Sequence, residues 1–342
     1  MSLKNLSAKI KIHKFLKKKL QDKRINRIYK KFEKSLGINH NFAVAVSGGP
    51  DSLALAFLAK IYSIKHKLFP KFFIVDHKLR QESTIEAKKI KKILSKFFIN
   101  SEILTWRGKK PLKNIQSAAR NKRYKLMSLN CDRYNINTIL VGHHQDDLVE
   151  NFFIRILRGS GLKGLISLDK KTKIENKYLL RPLLDQKKED LIFISNKVFN
   201  FYLQDPSNNE DKYLRIRIRK LIINLQKNGL DKKKFHKTIS NLKHSNDVIN
   251  FYVDKNLKKN TFFSKKENQV ILNKNFFQQS YEVIFRSFSD ILKFVGKKYY
   301  SVRGKKLEKV IKNILYKKSL KATLGGCMIE KVNQTVIITK EP

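Results

Sequence analysis

The run Phe42-Ala43-Val44-Ala45-Val46-Ser47-Gly48-Gly49-Pro50-Asp51-Ser52 decides how the rest of this 342-residue chain is read. Five apolar residues ending in Ser-Gly-Gly have the pattern of a buried parallel strand that opens into an anion-cradling turn. Glycine adopts positive φ without steric penalty and lets backbone N–H groups approach a phosphate closely. Ser52 is placed to cap a helix beginning at Leu53, whose positive end would face the same phosphates. Asp51 is repelled by phosphates unless a cation such as Mg²⁺ lies between them, which makes it the expected metal ligand. Ser47, Gly48, Gly49, Pro50, Asp51 and Ser52 together read as a site for a nucleoside triphosphate with its metal. An ordinary strand-to-helix turn is the competing reading.

Outward from this run, strand and helix patterns alternate. Strands are expected at Phe42–Val46, Lys71–Asp76, Ser101–Trp106 and Thr138–Gly142, with helices at Ser52–Lys65, Glu82–Phe98, Asn114–Asn130 and from Gln145 to Leu157. Repeated strand–helix units imply an α/β fold: a parallel sheet, right-handed crossovers, and ligands beyond the carboxyl ends of the strands. Asp76–Arg80 and His143–Glu150 follow strands and so fall at that end. The segment Gly159–Gly164 fits G-x-G-x-x-G but follows a helix, so it reads as a flexible loop; no G-x-x-x-x-G-K-[ST] sequence is present.

Past residue 214 the pattern changes to Lys-rich helical stretches (Leu214–Gln226, Lys232–Leu257, Asn275–Val295, Gly304–Tyr316). A β-prone end follows, with Ala322–Leu324 and Val336–Thr339 around Gly325-Gly326. The expected organisation is a basic helical extension over 1–35, a catalytic domain over 36–214, one connecting helix over 215–245, and a smaller, mostly helical domain over 246–342 ending in a short β hairpin. In the extension, Ile12, Phe15, Leu16 and Leu20 recur at helical spacing.

Lys and Arg number 75 against 28 Asp and Glu, a formal net charge of +47. Such an excess points to a polyanion, nucleic acid above all, while a general bias toward Lys, Asn and Ile contributes to it. The two cysteines, Cys131 and Cys327, form no C-x-x-C pair, so neither a disulfide framework nor a zinc ribbon is indicated. No signal peptide is visible, and the apolar run Leu53–Ala59 is too short to span a bilayer. The expectation is a cytoplasmic protein without a membrane partner.

His143-His144-Gln145-Asp146-Asp147-Leu148-Val149-Glu150-Asn151 begins at a strand end and enters a helix. Asp147 and Glu150 are three apart, Asp146 and Glu150 four apart, so both pairs share a helix face. His143 lies four before Asp147, spaced to orient it. Acids at a helix N-terminus also suit the helix dipole by themselves, and both readings stand at this point. Zinc binding is disfavoured, because adjacent histidines point different ways.

The hexapeptide resembles the SGGxDS signature of the PP-loop ATP pyrophosphatases, which cleave ATP between the α- and β-phosphates and use the AMP to activate a carbonyl-type oxygen. Other segments resemble tRNA(Ile)-lysidine synthases. Asp76 to Ser83 (DHKLRQES) is similar to that family's VDHxLRxxS element, Asn114 to Tyr124 to its ARxxRY helix, and His143–Asn151 to its HHxDDxxEN segment. Arg181-Pro182-Leu183-Leu184 is similar to its RPLL element. Asp205-Pro206-Ser207-Asn208 followed by Arg215 to Arg219 is similar to its DxSN…RNxxR pattern, with Ile216 in place of the usual Asn. Thr323 to Cys327 matches a motif near the end of the family's first C-terminal domain. The resemblance covers roughly residues 40–340.

This resemblance implies that the C2 oxygen of the wobble cytidine in a CAU-anticodon isoleucine tRNA attacks the α-phosphate of ATP, and that the ε-amine of free L-lysine then displaces AMP. The loop at 47–52, with Asp76 and His77, would hold ATP, and Asp51 would carry Mg²⁺. Asp147 and Glu150 would bind the lysine ammonium and help remove its proton, and Arg120 would hold the cytosine or a flanking phosphate. Arg215 and Arg219 would lie on the tRNA backbone, and His143, Asp146, Arg181, Asp205, Ser207 and Asn208 would face substrate. The helical second domain would position tRNA, and a homodimer is left open. A tRNA thiolase shares the ATP chemistry but generally needs reactive or cluster-binding cysteines. An amide synthetase would not need +47, and a non-catalytic RNA-binding protein would not need Asp51 or the carboxylates.

Overall fold

The computed structural model describes residues 14–16, 18–108, 115–174, 176–204, 214–264, 269–298 and 302–342. The chain forms two compact units, one ending at His236 and the other spanning Lys237–Pro342.

The first unit is built on a six-stranded sheet in the order β3-β2-β1-β4-β6-β5. Its strands are β1 (Ala43–Val46), β2 (Lys71–Asp76), β3 (Ser101–Thr105), β4 (Thr138–Leu140), β5 (Lys171–Ile174) and β6 (Lys177–Leu180). All pairings are parallel except β5 with β6. The expected four-strand parallel sheet is thus present, extended at one side by a hairpin of short strands. Helix Pro50–Lys65 packs on it with Leu53 through Ala59 all fully buried, which is why this stretch is apolar around its whole circumference.

That helix begins at Pro50, two residues before the expected start. Gly49 is its N-cap residue and Pro50 takes the first helical position, where a missing N–H costs nothing. Ser52 is therefore inside the first turn and is not the cap. The Gly159–Gly164 stretch contains a single helical turn, Leu162–Leu165, after Gly161.

Within the expected extension over 1–35, the described residues pack on the core of the first unit. Helix Lys23–Leu36 buries Ile25, Ile28, Tyr29, Phe32 and Leu36, a spacing of three or four, in the same core as β1 and helix Pro50–Lys65. Asp22 caps it by accepting from Arg24 N and Ile25 N, and Gly37 closes it at φ 50°. Leu16 is buried in that core too, Phe15 is exposed, and Ile12 lies outside the described residues.

The expected connecting helix over 215–245 is two helices, Leu214–Lys227 and Lys232–Asn260. The break falls at Gly229 (φ 97°), where Leu230 N returns to Leu225 O at 2.9 Å, and Asp231 starts the next helix by accepting from Lys233 N. The boundary between units falls after His236, inside the second of these helices.

The second unit ends in a hairpin, as expected, but its strands are Cys327–Val332 and Thr335–Lys340, and the Gly325-Gly326 turn joins Leu320–Thr323 to the first of them instead of leading to Val336–Thr339. Leu320–Thr323 pairs with the outer side of Cys327–Val332 after turning through Gly325 and Gly326, both at positive φ. Two short strands, Thr261–Ser264 and Gln269–Leu272, complete a five-stranded antiparallel sheet. Helices Tyr281–Val295 and Gly304–Tyr316 cover it, with Phe276, Phe288, Leu292, Leu307 and Ile311 at the core. The expected single stretch Asn275–Val295 is a 3₁₀ turn, Lys274–Gln278, followed by the longer helix. Among the described residues no helix is long and apolar enough to cross a membrane.

Candidate active site

Strand β1 delivers the chain to Ser47, and the loop that follows is folded around the Ser52 hydroxyl. This oxygen accepts from Ser47 N at 3.1 Å and Gly48 N at 3.0 Å, and donates to Gly49 O at 3.0 Å. Gly48 sits at φ 86°, and a Cβ there would lie 2.4 Å from Ile90 Cδ1 and 2.8 Å from Leu203 Cδ1. Two later segments hold the loop from behind: Ser195 Oγ donates to Pro50 O at 2.6 Å, and Leu203 N donates to Gly48 O at 2.8 Å. Gly142, just past β4, brings a second strand end close to the loop; a Cβ on it would lie 3.1 Å from the Asp51 carbonyl.

Asp51 lies in the first turn of the helix, and its Oδ1 is buried with no hydrogen-bond partner among the described residues. Burial raises its pKa, against the opposing charge of His144. A buried carboxylate oxygen without a donor, beside a phosphate-type loop, fits a hard cation. Mg²⁺ is held by one or two carboxylates together with phosphate oxygens, so this donor set suits it.

His144 links this residue to the carboxylate helix Gln145–Ile156. Its Nδ1 accepts from Asp146 N at 3.2 Å, which assigns the ring proton to Nε2 in the neutral tautomer. Nε2 stands 3.6 Å from both Asp51 Oδ2 and Asp147 Oδ2. The backbone N–H of His144 donates to Asp147 Oδ2 at 2.9 Å. The orienting role expected of His143 thus belongs to His144. His143 Nδ1 instead accepts from Arg181 Nε at 3.1 Å, and burial pushes the His143 pKa down to about 3.

Asp147 and Glu150 are buried on the shared face that their spacing implied. Glu150 Oε2 accepts from Arg215 Nε and its Oε1 from Arg219 Nε, both at 2.6 Å, while Arg215 Nη2 donates to Asp147 Oδ1. Burial acts to raise the Asp147 pKa, but the charges of His144 and Arg215 outweigh it and hold the carboxyl below its usual range. Arg215 and Arg219 therefore lie on these carboxylates, because buried negative charges are tolerated only with counter-charge. Asp146 pairs with Lys232 Nζ at 2.8 Å, a cation the sequence reading did not single out. Val149, Ile218 and Ile222 bury one another between the two helices, and Phe153 stacks on Phe235 at 5.4 Å. Ile216, at the position that departs from the family pattern, is a buried residue.

The Asp76 carboxylate organises the turn after β2, accepting from Lys78 N, Ser83 Oγ and Thr84 Oγ1 at 2.7–2.9 Å. Burial opposes ionisation there, but these hydrogen bonds outweigh it and lower the pKa. His77 Nε2 accepts from Arg123 Nε at 3.3 Å, and the His77 ring meets the Trp106 edge at 6.2 Å. Arg120 is exposed over the Tyr124 ring, and its charge bears on both His143 and Arg181. Arg181 is buried and donates to Asp169 O and Thr172 Oγ1, a scaffold position behind His143. Asp205, Ser207 and Asn208 lie outside the described residues.

Residues 18–226 match the PP-loop domain family. Over 315 residues the chain is 34% identical to the tRNA(Ile)-lysidine synthase of Orientia tsutsugamushi (strain Boryong), covering 89% of this chain and 70% of that protein. The chain belongs to the tRNA(Ile)-lysidine synthase family. The synthase of Rickettsia felis (strain ATCC VR-1525 / URRWXCal2) is 31% identical over 92% of this chain and 74% of its own length. Among solved structures, the U34-tRNA thiolase NcsA from Methanococcus maripaludis with its [4Fe-4S] cluster shares the fold at a TM-score of 0.56 and 18% identity, over 65% of this chain and 78% of that one. The loop at Ser47–Ser52 lies within the matched PP-loop domain.

Proposed function

We infer that this chain joins free L-lysine to C2 of the wobble cytidine of a CAU-anticodon tRNA(Ile) at the expense of ATP. The observation that carries the reading is a single connected set of side chains. Asp51, in the phosphate loop, stands across His144 from the buried pair Asp147 and Glu150. In the first step the C2 oxygen attacks the α-phosphate, a phosphorus–oxygen bond forms, and the bond to the departing pyrophosphate breaks. In the second, the lysine ε-amine attacks C2, a carbon–nitrogen bond forms, and the bond to AMP breaks.

The loop N–H groups and the start of helix Pro50–Lys65 stabilise phosphate charge as it moves. Asp51 would hold Mg²⁺, which supplies charge neutralisation for the leaving pyrophosphate. Asp147 and Glu150 would hold the ammonium of lysine where it displaces their arginine partners, and would then help take up the proton that its amine must lose before attack. Arg215 and Arg219 hold these acids in place. Pairing of the modified base with A in place of G would change codon reading from AUG to AUA. The enzyme would act in the cytoplasm, where tRNA and free lysine meet.

The thiolase reading is disfavoured by the cysteines. Cys131 and Cys327 are both buried, in different units, and burial pushes the Cys131 thiol up to about 12. Two such thiols do not make the ligand set of an iron–sulfur cluster. The deciding experiment incubates the intact chain with ATP, labelled lysine and bulk tRNA. Lysine-dependent AMP release with label in the CAU-anticodon tRNA is the expected result; ATP cleavage indifferent to lysine, with no label in RNA, refutes it.

A further inference from the structure

Over its second half, helix Lys232–Asn260 has two unlike faces. Asn246, Val253 and Asn256 are buried, and Asn256 donates to Phe276 O and Ser287 Oγ, so this face belongs to the core of the second unit. At 100° per residue, the opposite face carries His244, Val248, Phe251 and Lys255, with Tyr252, Lys258 and Lys259 on its margins. Val248 is 58% exposed, Phe251 64% and Tyr252 47%, and the three lysines are exposed as well. The Phe251 and Tyr252 rings meet edge to face at 5.4 Å, and Lys255 Nζ lies 5.9 Å from the centre of the Tyr252 ring. The buried core of this unit lies on the other side of the helix, so packing among the described residues does not account for the exposed rings.

We propose that this stripe binds unpaired nucleotides of the tRNA, with base faces stacked on Phe251 and Tyr252 and phosphates on Lys255 and Lys259. The proposal rests on the tRNA reading above and adds the place of a contact outside the ATP loop. Charge selects the occupant. A second copy of a +47 chain would set these lysines against themselves, and three apolar side chains fall short of the roughly 800 Å² that each partner contributes to a stable protein interface. Single-stranded RNA offers both complements at once, since every base has a π-face and every linkage a negative charge. Asp247 and Asp254 lie together on one margin of the face, which directs the phosphates to the other margin, where Lys259 is placed.

The test measures tRNA affinity across a salt series for the intact chain and for Phe251→Ala, Tyr252→Ala, Lys255→Ala and Lys259→Ala. Phe262→Ala, an exposed ring on strand Thr261–Ser264, serves as the control. Each ring variant is expected to weaken binding roughly tenfold without changing the salt slope, as stacking is not a counterion effect. Each lysine variant should lower the slope by about one. Ring variants that bind tRNA like the control overturn the proposal. So does a change in their sedimenting mass with tRNA affinity intact, which would make the stripe a protein interface. Lysine transfer by the intact chain is followed in the same preparations. Its absence, with stripe-dependent RNA binding retained, defeats the lysidine reading and leaves the stripe standing.

Discussion

Replacing Gly48 by Ala probes how tightly the Ser47–Ser52 loop is built. At φ 86° an alanine pays the left-handed penalty of about 1–2 kcal/mol. Its Cβ would also stand 2.4 Å from Ile90 Cδ1 and 2.8 Å from Leu203 Cδ1. Ile90 is buried, so the clash is relieved only by moving packed side chains, at a cost of about 1–3 kcal/mol. The sum is about 2–5 kcal/mol. For a unit of this size, 3 kcal/mol corresponds to a fall in Tm of roughly 6–12 °C. Gly49→Ala is the internal comparison, because a Cβ there meets only Ser47 Oγ, at 3.9 Å, and φ is −70°. The single tryptophan, Trp106, is buried in the first unit and reports its unfolding by fluorescence. Gly48→Ala should melt well below the parent chain, and Gly49→Ala within a few degrees of it. Equal melting temperatures for the two variants would refute the reasoning.

Asp51→Asn is expected to fold at least as stably as the parent, since it removes a buried charge. Pyrophosphate release should fall about 100-fold or more, the scale of lost metal-borne charge stabilisation; normal release would remove Asp51 from the metal site. Glu150→Gln leaves one of its two arginine partners without an acceptor. In single-turnover assays lysine transfer should drop about 100-fold with adenylated tRNA accumulating, and an equal loss of adenylation would assign the carboxylates to the ATP step. His143 titrates at about 3 in the folded chain against an ordinary 6.5, so the unfolded state takes up the proton first and stability declines as pH falls through that window. The decline from pH 6.5 to 5 is about 2 kcal/mol for this group; His143→Gln should flatten it by that amount in denaturant titrations read by Trp106, and an unchanged slope would exclude His143 as the source.

What was legible in the sequence follows from what is local. Strand β1, its glycine turn and the helix behind it are set by neighbouring residues, and the helix start missed by two positions only because Pro50 favours the first turn more than Ser52 favours the cap. The helix Lys23–Leu36 was passed over in favour of Ile12, Phe15, Leu16 and Leu20, although Ile25, Ile28, Tyr29, Phe32 and Leu36 keep helical period amid many lysines. The strands Thr261–Ser264 and Gln269–Leu272 were not legible, because four-residue strands carry too little periodicity to stand out. The least legible feature was the partnership of Arg215 and Arg219 with Glu150. Its members are 65 and 69 residues apart, and only the packing of Ile218 and Ile222 on Val149 brings them together.

Ser195 and Leu203 give the Ser47–Ser52 loop a dependence that its own hexapeptide does not reveal. Both hydrogen bonds to the loop carbonyls come from residues made about 150 positions later in the chain. A nascent chain ending before residue 195 carries the whole signature yet has neither anchor. Grafting the hexapeptide into another parallel sheet would transfer its glycines and its helix start but not the two donors that hold its carbonyls.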